Sequence, residues 1–300
     1  MRIPAFLLVV YLSAGSSITS QAQSCLPCDS LRLQSGVIFC DDFESDEPIR
    51  NRYFGYDPDD GEFVRMSGVG RNGSFGMRVK FQAGEVGAGV LQKAIGRSPD
   101  SGMTHRSMPD SNFKEIYWRI DIRNQPGWEG GGGDKLSRAT VIASKSWQQG
   151  MIAHVWSGGK PDTWDYLVMD PATGISTDSK LASKKYNDFA NLRWMDGTHG
   201  PTPLFRKDLI GQWNCVVAHV KLNTPGISDG VFELWVNGRL QGARYDLNWH
   251  ASWNLQPDSY GINAVFFENY WNKGSVKEQE RYFDNILIST QPISCDCPQQ

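Results

Sequence analysis

The segment NAVFFENYWN, Asn263 to Asn272, sets a carboxylate and a phenol two residues apart, Glu268 and Tyr270, among three asparagines. Successive side chains of an extended chain point to opposite faces, so Glu268 and Tyr270 share a face with Phe266 while Val265 and Phe267 take the other. The same rule places His154 and Trp156 together in MIAHVW, opposite Met151, Ala153 and Val155. In EIYWRIDIR it puts Tyr117, Arg119, Asp121 and Arg123 on one face and Ile116, Trp118, Ile120 and Ile122 on the other. Tyrosine and histidine move protons, arginine and lysine neutralise anions, and an indole face lies flat on a sugar ring. Lys135, Arg138 and Lys145 add positive charge between the second and third of these segments, in a chain whose net charge is only −3.

Strands have to position these groups. GVIFCDDF, GMRVKFQ, ATVIASK, DYLVMD, QWNCVVAHVKLN, GVFELWVNGRLQGARY and YFDNILIS join the three segments above as short runs bounded by Gly, Pro, Asp or Ser. Roughly ten such runs mean a sandwich or barrel. Asn237-Gly238 reads as a two-residue hairpin turn, since both residues tolerate positive φ. Eleven tryptophans and 31 glycines support an all-β protein with aromatic contact surfaces, and Trp156, Trp164, Trp194, Trp253 and Trp271 are the candidate sugar platforms. The glycine-rich stretch Gln125–Lys135 reads either as a connector or as a lid beside a cleft.

Residues 1–22 read as a signal peptide cleaved after Ala22, and 23–300 as one domain. The apolar run after Arg2 is about half of the ~20 residues that span a bilayer, so no membrane span is expected, and the protein is expected to be secreted or periplasmic. AQSC at Cys25 lacks the leucine of a lipid-anchor site. Six cysteines in an oxidising compartment favour disulfides over a zinc site. No dense Lys/Arg block is present, which argues against nucleic acid. DPDDGEF at Asp57 begins like a calcium loop, but Gly68 stands where the twelfth-position glutamate belongs, so it reads as a turn.

CDDFES, GQWNCVVAHVKLNTPGISDGVFELWVNGRL and RYFDNILIST together resemble secreted proteins of the concanavalin A-like lectin/glucanase superfamily, most nearly its polysaccharide-lyase-like members, relatives of alginate, glucuronan and heparin lyases. The resemblance implies a jelly-roll sandwich of two curved antiparallel sheets, with a substrate groove on one concave face. It also implies β-elimination on a uronic-acid polymer, which needs a group to neutralise the carboxylate, a base for the adjacent carbon and an acid for the leaving oxygen. The glucanase branch is not matched, for no strand carries its alternating carboxylates.

Carried over residue by residue, the resemblance makes Arg119 the neutraliser, with Arg123 as alternative, and His154 and Tyr270 the proton-transfer groups. Tyr117, Arg123, Lys145, Trp156, Glu268 and Asn272 then bind substrate. Ile152 and Ala153 stand where the family's histidine strand offers a polar partner, and Glu268 stands where a lysine is expected. A carboxylate at 268 would repel an acidic sugar unless Arg119 or Lys145 paired with it. These departures keep open a second reading, a non-catalytic carbohydrate-binding or surface-adhesion protein. Neighbouring first and last strands in the resembled fold imply a disulfide from Cys25 or Cys28 to Cys295 or Cys297. An acidic polysaccharide partner, a monomer, no catalytic cofactor and at most a structural calcium complete the expectation.

Overall fold

In the computed structural model, residues 26–130, 133–158, 160–206, 210–249 and 260–295 are described. The strands, in chain order, are β1 (Val37–Asp41), β2 (Gly55–Asp57), β3 (Phe63–Met66), β4 (Gly76–Phe81), β5 (Gly87–Ala94), β6 (Glu115–Asn124), β7 (Asp134–Ile142) and β8 (Gln149–Ser157). They continue as β9 (Leu167–Thr173), β10 (Arg193–Trp194), β11 (Thr198–His199), β12 (Asn214–Lys221), β13 (Gly230–Val236), β14 (Arg239–Leu247), β15 (Ala264–Trp271) and β16 (Gln279–Ser289). One sheet runs β14-β13-β12-β6-β16-β4-β3, with β1 also on β16. The other runs β10-β9-β8-β7-β15-β5-β2, with β11 on β9. Every strand pairing is antiparallel, and the architecture is the expected jelly-roll sandwich.

Alternation decides what lies between the sheets. Ile116, Trp118, Ile120 and Ile122 of β6 meet Ala139 and Val141 of β7, Met151, Ala153 and Val155 of β8, and Val265 and Phe267 of β15 in one core. Each such side chain, fully buried, contributes roughly 1.5–3 kcal/mol against leaving it wet. The residues of opposite parity therefore face outward, on two different sheets. Asn237 and Gly238, at φ 50 and 75, form the β13–β14 turn as expected.

β1 and β16 are neighbours, Val37 opposite Ser289, so the first and last strands do lie together. Among the described residues the disulfides are Cys28–Cys40 and Cys215–Cys295. Cys28 ties a single helical turn to β1 and Cys295 ties the segment after β16 to β12, so neither makes the expected link between the termini. Cys25, Cys297, Trp253 and the leader 1–22 lie outside the described residues. Among those described, no helix is long and apolar enough to cross a membrane.

Candidate functional site

The outward face of the second sheet carries the site. Cross-strand register arranges it in rows, each running across β9, β8, β7, β15 and β5. Val168, Trp156, Lys135, Tyr270 and Gly87 form the first row; Asp170, His154, Arg138, Phe266 and Gln92 the second; Ala172, Ile152, Thr140, Ala264 and Ala94 the third. Polar side chains fill much of the first two rows and give way to apolar ones in the third, so the groups able to move protons or bind anions sit at the end nearer the first row. Glu268 lies between the first two rows, opposite Val90, where the β15 pairing shifts register.

A groove of about 360 Å³ runs over Asp57, Gln92, Lys135, Glu268, Asn269, Tyr270 and Asn272. A smaller pocket of about 90 Å³ shares Lys135, Asn187, Phe189 and Asn272 with it and reaches Arg138, His154, Trp156 and Trp194. The loop between β9 and β10 forms the far wall. Asp188 holds that loop by accepting from the Lys184 amide at 2.8 Å and the Asn191 side chain at 2.9 Å, and Gln149 accepts from the Asn187 amide at 2.8 Å. Phe189 and Trp194 stand exposed on its rim with nearly parallel rings 6.5 Å apart.

Arg138 is the hub of the floor. It donates to Glu268 Oε1 at 2.9 Å, to Asn187 Oδ1 at 3.0 Å and to the Tyr186 hydroxyl, with the Tyr186 and Phe266 rings on its faces. His154 Nε2 lies 3.8 Å from Glu268 Oε2, too long for a hydrogen bond. Burial, reinforced by Arg138 and Lys135, pushes the His154 imidazole well below its usual range, so it is neutral at neutral pH. Burial likewise raises the Tyr186 phenol to about 12 and lowers the Lys135 ammonium. Lys135 Nζ lies 4.3 Å from the centre of the half-exposed Tyr270 ring. His154 Nε2, Glu268 Oε2, Trp156 Nε1, Asn269 Oδ1 and Arg138 Nε are buried without a hydrogen-bond partner. Native proteins rarely leave such groups unmade, and these five lie around the groove and its adjoining pocket, while others are scattered elsewhere in the molecule.

Gly133 closes this end. At φ 79 it takes a left-handed conformation, and a Cβ there would come within 2.9 Å of Asn272 Nδ2 and 3.3 Å of the Trp156 ring. Trp128, at the start of the glycine-rich stretch, is buried and stacked on Trp271 at 5.7 Å.

No family model matches the sequence, and no curated protein matches it. Solved structures do match the fold. An alginate lyase from Chlorella virus superposes with a TM-score of 0.55 at 17% identity, over 79% of this chain and 91% of that one. An endo-β-1,4-glucuronan lyase from the fungus Trichoderma reesei gives 0.55 at 12% identity, over 85% and 96%. A marine alginate lyase from Aplysia kurodai gives 0.53 at 13% identity, over 85% and 99%. The chain shares its two-sheet sandwich fold with these structures. At these identities the likeness concerns the fold.

On this frame the groove and its adjoining pocket bring together His154, Trp156, Glu268, Tyr270 and Asn272. It does not bring in Tyr117, Arg119 or Arg123. Those three belong to β6, in the other sheet, and face away from the groove across the core. Arg119 donates to both oxygens of Asp121, at 3.0 and 2.9 Å, and is buried; Tyr117 stacks on His219 at 4.0 Å; Arg123 lies over Trp213 and Tyr282. Lys145 is exposed in the β7–β8 connection, at the strand ends opposite Lys135. The partner of Glu268 is accordingly Arg138, and neither Arg119 nor Lys145. Of the candidate platforms, Trp271 is core, whereas Trp156 and Trp194 line the pocket.

Tyr186, Asn187, Phe189, Gln92 and Asp57 line the site without having been expected there. Tyr186 to Phe189 come from a loop with no periodicity to read. Asp57 was legible only as a turn residue. Asn263, by contrast, is structural: its amide exchanges two 2.8 Å hydrogen bonds with the Ile142 backbone.

One carboxylate group could hold a metal. Asp59, Glu62 and Glu85 place oxygens within 4.8 Å of one another, and Asp59 Oδ2 has no hydrogen-bond partner. Burial and the neighbouring carboxylates raise the Asp59 carboxyl to about 6. An all-oxygen set of this kind suits a hard cation such as calcium. Asp59 and Glu62 come from the β2–β3 turn and Glu85 from the β4–β5 turn, two residues before Gly87, the cross-strand partner of Tyr270.

Proposed function

We propose that the protein is a secreted polysaccharide lyase that cleaves a uronic-acid-containing polymer by β-elimination. The observation that carries this reading is the groove end where Lys135, Tyr270 and Asn272 meet His154 and Trp156. A proton beside a carboxylate becomes removable only when that carboxylate is neutralised. Lys135 and the Asn272 amide supply the neutralising charge and donor in this reading, replacing Arg119. Tyr270, half-exposed in the groove, takes the C5 proton as the phenolate; the C5–H electrons form the C4=C5 double bond as the C4–O bond breaks, and the phenol so formed returns that proton to the departing oxygen. Neutral His154 lies beneath Trp156, their rings 5.1 Å apart, and is the second candidate base. The two disulfides are compatible with an oxidising, extracellular setting.

The second reading, a non-catalytic carbohydrate-binding protein, draws on one observation: Glu268 already occupies Arg138, so the floor spends its strongest anion-binding group internally. Assaying acidic polysaccharides for the ultraviolet absorbance of unsaturated uronate products separates the two. Product formation that disappears in Tyr270→Phe while binding persists supports the lyase; binding without product from any uronate polymer supports the lectin-like role.

A further inference from the structure

The charges along the groove are uneven. Its cations stand in the middle, on β7: Arg138 is held by Glu268, and among the described residues no carboxylate lies within ion-pair distance of Lys135. Towards β5 and β2 the groove is acidic and amide-lined instead, with the exposed Asp57 carboxylate at the end and the Glu268 and Asn269 side chains in its lining, their Oε2 and Oδ1 atoms buried and without partners. Towards β10 it offers the Phe189 and Trp194 rings.

A continuous polyuronate would set a carboxylate against each of these regions. An anion beside Asp57 and Glu268 meets like charge, and one over the Phe189–Trp194 rim meets aromatic faces whose quadrupole is negative. Neutral sugars fit both flanks, because hydroxyls donate to carboxylate and amide oxygens and apolar ring faces lie on aromatic rings.

We infer that the groove takes a heteropolysaccharide in which an isolated uronate, seated at Lys135, is flanked by neutral sugars. The bond cleaved rests on the lyase reading above; the binding preference does not. Discrimination of this kind comes as much from repulsion of the wrong polymer as from attraction of the right one.

The test uses the full-length protein and two soluble probes of matched length: a homopolymer of β-1,4-linked glucuronate, and a polysaccharide whose single glucuronates alternate with neutral glucose units. Binding is measured by calorimetry on Tyr270→Phe, so that neither polymer is consumed, and product absorbance on the unaltered protein. The alternating polymer should bind about tenfold more tightly at low salt, a difference of about 1.4 kcal/mol. Asp57→Asn should narrow that gap by strengthening polyglucuronate binding. Equal or tighter binding of polyglucuronate by the Tyr270→Phe protein overturns the inference, as does a gap that Asp57→Asn leaves unchanged. A preserved gap with no unsaturated product from either probe overturns the lyase reading alone.

Discussion

The two outward faces of the sandwich are built from the same residue types and differ in how completely those residues satisfy one another. On the first sheet His219 has Glu233 at 2.7 Å on one ring nitrogen and Glu115 at 2.8 Å on the other, with Tyr117 stacked on its ring and Tyr245 donating to Glu233. Asp121 is gripped by Arg119, Arg71 and Asn285. On the second sheet His154 Nε2, Glu268 Oε2 and Trp156 Nε1 have no partner. The His219 and Asp121 networks on one face are thus closed, although Arg78 Nε and Arg123 Nε there have no partner, whereas the His154–Glu268 network on the other is open. Residue chemistry alone does not mark a site; unspent hydrogen-bonding capacity beside a groove does.

Tyrosine substitutions break this comparison most sharply. Tyr270→Phe should lower turnover by about 10²–10⁴-fold with binding nearly intact, the range for a lost proton-transfer group. Tyr117→Phe, on the closed face, should leave turnover unchanged. Steady-state rates of both variants on one substrate decide the matter, and equal losses would erase the distinction between the faces. The floor ion pair is next. Arg138→Met strands the Glu268 carboxylate, whose side chain is only 9% exposed, and should cost about 3–5 kcal/mol of stability. Adding Glu268→Gln should recover much of that loss in denaturant unfolding, whereas additive losses would mean that the pair is not coupled.

The contrast between faces also explains what could be read beforehand. Parity in EIYWRIDIR, MIAHVW and INAVFFENY told inward from outward correctly for the residues it assigned, because one side of each strand is packed and the other is not, though Ile262 joins the core and Asn269 lines the groove against it. Parity does not say which sheet a strand joins. Tyr117 and Arg119 have the same alternation as His154 and Trp156, and only the long-range pairings of β6 with β12 and β16, against those of β8 with β7 and β9, put them on opposite sides of the molecule. The first half of β7 was hidden for a different reason. The pairing of Lys135 with Trp156 and of Ser137 with Val155 leaves Leu136 as an extra residue, so Leu136 and Ser137 both turn inward between outward Lys135 and Arg138. That break in period conceals a strand that carries two cations of the groove.

Acid titration should act on the two faces with opposite signs. His154 is held neutral by burial and by Arg138 and Lys135, so its folded pKa lies below the unfolded value of about 6.5. The unfolded chain then binds more protons as pH falls below about 6.5, and stability declines towards the folded pKa. On the closed face, burial raises the Asp284 carboxyl from 3.8 to about 7, with Asp121 and Asp42 adding to the rise. Here the folded state holds the extra proton, so stability is highest below the unfolded value and declines as pH rises from about 4 through about 7, by up to about 4 kcal/mol. His154→Gln should flatten the acid-side decline and Asp284→Asn the rise-side one, both read from denaturation midpoints across pH 4–8. A single variant that removed both slopes would show that the two faces titrate as one network.

The smallest expected effect is the most exacting test of the closed face. Tyr245 is 59% exposed, and its hydroxyl donates to Glu233 Oε1 at 2.5 Å, while Oε2 of the same carboxylate meets His219 Nδ1. If this network were poised for a ligand, deleting one member would leave a partner stranded and costly, as at Arg138. If it is closed and wet at its edge, water replaces the phenol. Tyr245→Phe should therefore change stability by no more than about 0.5 kcal/mol, the usual range for a surface change, and should not alter polysaccharide binding. A larger loss, or weakened binding, would mean that the face opposite the groove also meets a ligand, and the line drawn between spent and unspent hydrogen-bonding groups would have to be drawn elsewhere.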